Sequence, residues 1–242
     1  MTTFSYQEFL DRATSMAGLD SASLSTAERG WFDTWFNRNL SFAWQVSRWP
    51  WACSIDSRTA TNNVILFTET GKPDIDDVFE CFLDDPTAYR NARTVPYSIE
   101  DGQIRIYYPS NVTPIYVYSR KPATVVSGVQ WAAQSYASGV TVWNTVSGVI
   151  NYYKSNASVI STDIPGSSAK WDVVKLPRDI LEAVSHAVYA DYLRFDGQVD
   201  KATRADAEAD AILALAIDKF ERQNRQFPST QFNTHINSRG YS

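Results

Sequence analysis

Few residues in this chain of 242 could carry out chemistry: it contains two histidines, two cysteines and two methionines. His186 lies in a stretch with helical periodicity, without a nearby cysteine, a second histidine or a Glu-x-x-His pattern. Zinc sites and nucleophilic triads need several convergent partners, so this setting favours a structural or interface role for His186. His235 lies in a polar C-terminal segment, where we expect it to be solvated or at an interface. Cys53 and Cys81 are too few for a disulfide framework, which favours a reducing, cytosolic origin.

Acidic residues cluster at Asp74, Asp76 and Asp77, with Asp84 and Asp85 nearby. Such a cluster could bind a divalent cation, but it lacks the glycine turn and the distant bidentate glutamate of a calcium loop. A solvated acidic loop is therefore the favoured interpretation.

The sequence contains no phosphate-binding glycine loop, dinucleotide fingerprint, nucleophile elbow or kinase motif. Two carboxylates brought together only by the fold could still form a glycosidase-type pair, so a small hydrolase stays an alternative. The favoured prediction is a protein that is not an enzyme and has no cofactor and no bound metal ion.

The composition favours packing over catalysis, with 8 Trp, 13 Tyr and 12 Phe and 44% hydrophobic residues overall. A chain of this length can bury a full core in one large or two modest domains. Aromatic residues are typical of cores and of protein interfaces. The net charge of -5 argues against broad nucleic-acid binding through the whole surface, and no membrane span is expected.

The elements that must position these residues begin with two helices near the N-terminus. Ser5 opens a predicted helix that ends at Gly18. Ser25 and Glu28 have the spacing of a capping box and open a second helix, which is expected to end near Trp49-Pro50-Trp51. Its apolar stripe consists of Trp31, Phe32, Trp35, Phe36, Leu40, Ala43 and Trp44.

Helical periodicity returns after Leu176-Pro177, and Asp196-Gly197 separates two predicted helices. The second of these has an inward-facing stripe predicted to consist of Val199, Ala202, Ala205, Ala209, Ile212, Leu213, Ala216, Ile217 and Phe220.

Short strands are predicted between these helical ends, because the period changes to two from Asn63 to about Val174. Asp101-Gly102 predicts a hairpin with a two-residue turn. The predicted fold class is α+β: a helical bundle built from the N- and C-terminal helices, with an inserted antiparallel β-rich region and an extended C-terminal tail. The predicted segments are a helical body (1–52 and 176–225), a β-rich insertion (60–122), a small β subdomain (129–174) and a C-terminal arm (226–242).

The order of these parts resembles the head-to-tail adaptor, or neck connector, proteins of tailed bacteriophages. The resemblance rests on Ala43-Trp44-Gln45 and Trp49-Pro50-Trp51, on Leu176-Pro177, and on the stretch from His186 to Leu193 followed by Asp196-Gly197-Gln198. It covers both helical ends of the chain. The order and spacing of the motifs carry it, because each motif alone is weak.

This resemblance implies a structural virion protein, made in the host bacterial cytoplasm and located in the neck between capsid portal and tail. It implies a homo-oligomeric ring, usually a dodecamer, that binds the portal protein and a downstream tail or nozzle protein. Double-stranded DNA would pass through the ring without specific contacts, and no membrane partner is implied.

In such adaptors the C-terminal tail reaches the portal, which implies a portal-binding arm in this chain. Apolar anchors and arginines suit a segment that becomes ordered on binding. The residues expected to form the arm contacts are Arg225, Phe227, Phe232, Ile236, Arg239 and Tyr241. A frayed terminus is the alternative.

Residues 129–174 resemble the small carbohydrate-binding module of chitinases, through the spacing of Trp131, Tyr136, Gly139 and Val142 and the later Trp171. The resemblance implies core roles for Trp131, Tyr136 and Trp171 and leaves Trp143 as a possible exposed aromatic residue. Lys154 to Ser158 stand where those modules have their sugar-stacking pair, so a scaffold role is favoured. A carbohydrate-binding tail or fibre-associated module is the alternative function.

Overall fold

The computed structural model describes residues 3–89, 91–108 and 114–226, with side chains described as far as residue 222. Over these residues the chain has an α+β fold with four α-helices and several antiparallel sheets. The helices are α1 (Tyr6–Met16), α2 (Thr26–Gln45), α3 (Leu181–Phe195) and α4 (Val199–Gln226). The strands are β1 (Thr3–Phe4), β2 (Cys53–Arg58), β3 (Val64–Leu66), β4 (Asp77–Phe82), β5 (Tyr97–Glu100), β6 (Gln103–Ile106), β7 (Ile115–Arg120), β8 (Val129–Gln130), β9 (Thr141–Val146), β10 (Val149–Ser155), β11 (Trp171–Val173) and β12 (Leu176–Pro177).

The predicted starts of α1 and α2 are confirmed. The Ser5 hydroxyl accepts a hydrogen bond from the Glu8 amide at 3.1 Å, and Ser25 and Glu28 form the complete capping box. Helix α2 ends at Gln45, earlier than predicted. The Trp49 carbonyl accepts hydrogen bonds of 3.0 Å from the amides of Ala52 and Cys53. Trp49 therefore lies in the turn that leads into β2, not in the helix.

The chain divides into two compact units: Met1–Ser47 with Thr124–Asp218, and Arg48–Ala123 with Lys219–Ser242 as far as the latter is described. Strand β2 thus belongs to the second unit. The strands of residues 129–173 belong to the first unit, together with α1, α2 and α3. The predicted segment boundaries stay a prediction.

The first unit contains a sheet in the order β11-β10-β9-β8 and a two-stranded ribbon of β1 with β12. Pairing is antiparallel except between β8 and β9. Gly128, just before β8, has a φ of +133°, and a Cβ there would lie 2.2 Å from the Thr141 carbonyl oxygen. A glycine is therefore required for β8 to approach β9.

The second unit contains two three-stranded sheets, β2-β7-β4 and β3-β6-β5. The predicted hairpin at Asp101-Gly102 is confirmed, with φ values of 48° and 72°. Strand β2 was not predicted, because only Cys53 and Ile55 of its six residues are apolar; it forms by pairing along the whole of β7. The core of this unit consists of Ile65, Ile75, Val78, Cys81, Val95, Ile104, Ile106, Ile115 and Val117.

The helices of the first unit are held by aromatic and small side chains. Phe9 and Phe36 are fully buried, with ring centroids 4.2 Å apart. Ala202 and Ala205 on α4 pack against Ala190 and Leu193 on α3, as the small residues of the predicted stripe allow. Val199, predicted to face inward, is 62% exposed, because it is the first residue of α4 after the turn at Gly197.

Candidate functional site

Helix α2 presents different side chains to its surroundings on three faces. Phe32, Phe36 and Leu40 are buried in the core. Arg29, Asp33 and Asn37 recur every four residues on a second face, which contacts the segment from Val126 to Tyr152. We call these three residues the polar seam. The third face carries exposed apolar side chains.

At the centre of the polar seam, the Asp33 carboxylate accepts hydrogen bonds from two phenols. Tyr152 on β10 donates at 2.6 Å, and Tyr6 on α1 donates to the other oxygen. The two tyrosine rings contact each other edge to face, with centroids 4.9 Å apart. Burial raises the pKa of Asp33, although the two phenols and Arg29 act in the opposite direction. Burial and the nearby Asp33 charge raise the pKa of both tyrosines.

Arg29 lies at one end of the seam, with its guanidinium carbon 4.8 Å from the centroid of the Trp143 ring. Trp143 on β9 is the direct cross-strand partner of Tyr152, so both side chains lie on the sheet face toward α2. The cation–π contact stabilises this packing, and the desolvated Arg29 Nε has no hydrogen-bond partner. Trp143 is therefore half-buried under Arg29, where the sequence had suggested an exposed ring.

Asn37 closes the other end of the seam through a pair of hydrogen bonds to one peptide. Its Nδ2 donates to the Val126 carbonyl at 2.6 Å, and its Oδ1 accepts from the Val126 amide at 2.8 Å. Val126 is fully buried, so the pair satisfies backbone groups that have lost contact with water. The polar seam can thus attach the segment from Val126 to Tyr152 to the helices.

A second polar cluster connects α2, α3 and α4 around Asp191, whose side chain is 4% exposed. Asn39 on α2 donates to Asp191 at 2.8 Å, and Arg38 forms an ion pair with it. Arg194 donates to Asp191 at 3.0 Å and also pairs with Asp206 on α4. The buried carboxylate thus has partners from two helices.

The three aromatic residues expected in the core of residues 129–174 lie close together. Tyr136 and Trp171 are buried with ring centroids 5.6 Å apart, and Trp131 packs against their cluster while partly buried. Tyr153 belongs to the same cluster, whereas its neighbour Tyr152 points to the polar seam. Strand β10 therefore has a small core on one face and the helices on the other.

Residues 129–174 are all described, and each of their aromatic rings is buried or half-buried. Stacking on a sugar needs a flat aromatic face open to water. This surface offers no such ring in the present conformation.

The predicted arm lies almost wholly outside the described residues. Phe227, Phe232, Ile236, Arg239, Tyr241 and His235 fall beyond residue 226, and the side chain of Arg225 lies beyond the last described side chain. The portal contacts assigned to them stay predictions.

The histidine and cysteine side chains that could have done chemistry serve in an ion pair or in packing. His186 Nδ1 lies 3.6 Å from a Glu208 carboxylate oxygen, between α3 and α4. Both cysteines are free thiols, and burial raises the pKa of Cys81 to about 12. Cys81 is therefore protonated at neutral pH.

Three acidic residues of the second unit are paired with basic or polar neighbours. Asp77 accepts a hydrogen bond of 2.8 Å from Arg120, and Asp84 forms a two-pronged pair with Arg93. Asp85 accepts from the amide and hydroxyl of Thr87. In the described part of the chain, no three His, Cys, Asp or Glu side chains are grouped so that they could hold a metal ion. No helix described there is long and apolar enough to cross a membrane.

The third face of α2 carries aromatic residues that the sequence had assigned to the core. Trp31 is 42% exposed, with its ring centroid 4.7 Å from that of Phe195, which is 60% exposed. Trp35 is half-buried and contacts the same Phe195 ring at 5.9 Å. Trp31 was predicted to be buried because its spacing fits the apolar stripe, but it lies at the edge of that stripe and reaches only the end of α3.

No family model matches the chain, and no curated protein matches it.

Proposed function

We propose that this chain is a structural virion protein of tailed bacteriophages: a ring-forming head-to-tail adaptor that joins the portal to the tail and extends the DNA channel. In this proposal the N- and C-terminal helices form one helical bundle, and the β-rich region is inserted between them. The protein works as a spacer and docking ring and catalyses no reaction.

The observation that carries the proposal is the direct contact between residues 3–12 and residues 176–182, which lie before and after the β-rich region in the chain. Strand β1 pairs with β12, in the register Thr3 to Pro177 and Phe4 to Leu176. Next to this ribbon, Arg178 donates to Glu8 at 2.8 Å, and Arg12 on α1 forms an ion pair with Glu182 on α3. These contacts between residues before and after the β-rich region support the proposed helical bundle.

The exposed aromatic residues also support an assembly role. Large exposed apolar side chains that contact one another mark interaction surfaces more often than isolated exposed side chains do. Trp31 and Phe195 form such a pair on the helices. In a ring, each subunit has parts of its side faces covered by the neighbouring subunits.

The proposal is tested by co-sedimentation of the purified full chain with portal rings from the same phage. We expect the chain to sediment with the rings. A variant lacking residues 227–242 tests the arm, and we expect it to bind less. Full-chain samples that never sediment with portal would contradict the adaptor proposal, and undiminished binding of the shortened chain would contradict only the arm.

Glycan binding, the alternative function, draws no support from the buried and half-buried rings of residues 129–174. A glycan array is the direct check. Binding that is lost in Trp143→Ala would favour the alternative over the adaptor.

A further inference from the structure

Strand β2 lies at the edge of its sheet, because the strand order is β2-β7-β4. One of its sides pairs with β7 over all six residues, from Cys53 to Arg58. Across the part of the chain that the structure describes, no strand pairs with the other side. We call this side the free edge of β2. Folded proteins rarely leave an edge of this length unpaired, because any available strand can add to it.

Two residues of β2 direct their backbone groups to the free edge. Just outside the strand register, Lys121 donates its amide to the Ala52 carbonyl at 2.8 Å. In an antiparallel pair, residues that bond to the partner strand alternate with residues that do not, so every second residue after Ala52 bonds to β7. Ile55 and Ser57 therefore direct their N–H and C=O groups away from β7. Among the described residues, neither has a backbone partner on that side.

The end of the chain contains a stretch with the period of a strand. Pro228 predicts that helix α4 stops before it, because the residue before a proline avoids the helical region. After Ser229, residues that are β-branched or aromatic alternate with polar ones, which is typical of a strand. The alternating residues are Thr230, Phe232, Thr234 and Ile236, with Gln231, Asn233, His235 and Asn237 between them. We call residues 230–237, which lie outside the described residues, the tail segment.

Helix α4 brings the tail segment within reach of β2. The ring centroid of Phe220 on α4 lies 5.8 Å from that of Trp49, and both residues belong to the second unit. The Trp49 carbonyl in turn accepts a hydrogen bond of 3.0 Å from the amide of Cys53, the first residue of β2. The helix is described as far as Gln226, about 9 Å beyond Phe220 along its axis. The extended chain from there to Thr230 spans about 14 Å, which is enough to return to β2.

From the free edge and the tail segment we infer that residues 230–237 add to β2 of their own chain as a further strand. In strand addition the backbone hydrogen bonds hold the added strand, and Ile55 and Ser57 offer such bonds here. A strand on the same chain acts at an effective concentration on the order of millimolar, which favours it over a strand from a second copy or another protein. The inference goes beyond the proposed function, since it concerns the chain before it meets any partner.

Hydrogen exchange of the Ile55 amide tests this pairing, because that amide needs a partner outside β7. In the full chain we expect it to exchange at least about tenfold more slowly than in a chain lacking residues 227–242. The Asp56 amide is the internal control. It bonds to β7 by the same alternation, so its exchange should be equal in the two chains.

Proline substitutions test the tail segment without shortening the chain. Asn233→Pro combined with Thr234→Pro removes two successive backbone donors, one of which must point to β2 in any register. We expect the Ile55 amide of this variant to exchange as fast as that of the shortened chain. The matched control is Ser238→Pro combined with Gly240→Pro, which adds two prolines outside the tail segment. It should exchange like wild type.

Equal exchange of the Ile55 amide in the full and the shortened chain would overturn the inference, and so would wild-type exchange in the variant with prolines at Asn233 and Thr234. Protection that rises with protein concentration and accompanies dimers in mass photometry would place the tail segment on a second copy, which also contradicts the inference. All these measurements use the chain without portal. Failure of the adaptor proposal shows separately, in the portal sedimentation of the full chain.

Discussion

The Tyr152 phenol on β10 donates a hydrogen bond of 2.6 Å to the Asp33 carboxylate on α2, joining residues 119 positions apart in the chain. Tyr6 on α1 donates to the second oxygen of the same carboxylate. One half-buried acid therefore connects two helices and a sheet. Because a buried carboxylate is costly unless it is hydrogen-bonded, this contact should govern how firmly residues 129–174 attach to the helices.

Replacing Asp33 by asparagine should change how stability depends on pH. Burial raises the folded-state pKa of Asp33 above its ordinary value of 3.8. The stability that this group contributes is fully present below that value and is lost as the pH rises through the folded-state pKa. Asparagine does not titrate, so the free energy of unfolding of Asp33→Asn minus that of wild type should rise across this window. Urea unfolding at a series of pH values measures the difference.

Tyr152→Phe provides the companion experiment, because it removes a hydrogen bond that lowers the pKa of Asp33. In that variant the loss of stability should extend to higher pH than in wild type. A difference between Asp33→Asn and wild type that stays level or falls with rising pH would show that Asp33 is not desolvated as described.

Asn37→Ala should loosen the segment around Val126. The substitution removes both side-chain hydrogen bonds to a fully buried peptide, which should cost about 2 kcal/mol of unfolding free energy. Thr34→Ala, at an exposed position one turn earlier, is the control and should cost within about 0.5 kcal/mol. Hydrogen exchange should show faster exchange of the Val126 amide only in Asn37→Ala. Equal protection of the Val126 amide from exchange in both variants would show that Asn37 does not hold this segment.

The Asp191 cluster should respond non-additively to loss of its two arginines. Arg38→Ala or Arg194→Ala alone leaves the other arginine beside the carboxylate, so each should cost about 1 kcal/mol. The double variant leaves a buried charge with Asn39 as its remaining described side-chain partner, and it should cost about 3–5 kcal/mol. A double-mutant cycle from chemical unfolding measures the coupling. Strictly additive losses would mean that Asp191 does not depend on these partners.

The local structure could largely be predicted from the sequence. The helix starts at Ser5 and Ser25 and the hairpin at Asp101 depend on residues that lie close together in the chain, so pattern and turn chemistry were sufficient. Strand β2 could not be predicted in this way, because its Cys-Ser-Ile-Asp-Ser-Arg sequence becomes a strand only through pairing with β7.

The polar seam could not be predicted either. Arg29, Asp33 and Asn37 have the four-residue spacing of an ordinary solvated helix face. Apart from Tyr6, their partners lie about a hundred residues away in the chain, and nothing local marks them. Trp31 shows the converse case: its spacing fits a core stripe, but its exposure depends on where α3 ends.

Gly128→Ala should be more destabilising than substitution of a glycine with open space around it. At Gly128 a Cβ would meet the Thr141 carbonyl oxygen at 2.2 Å, whereas at Gly148, which also has a positive φ, it would meet nothing within 4 Å. Gly148→Ala should cost about 1–2 kcal/mol for the left-handed backbone alone, and Gly128→Ala at least about twice that. Thermal unfolding of the two variants makes the comparison. Equal losses would contradict the close approach of β8 to β9.

Electron microscopy of the purified chain mixed with its portal ring tests the adaptor proposal most directly. The account predicts a closed ring of copies, coaxial with the portal and extending its channel. Particles in which the chain is monomeric and absent from the portal, or virions in which it lies on fibres instead of the neck, would contradict it.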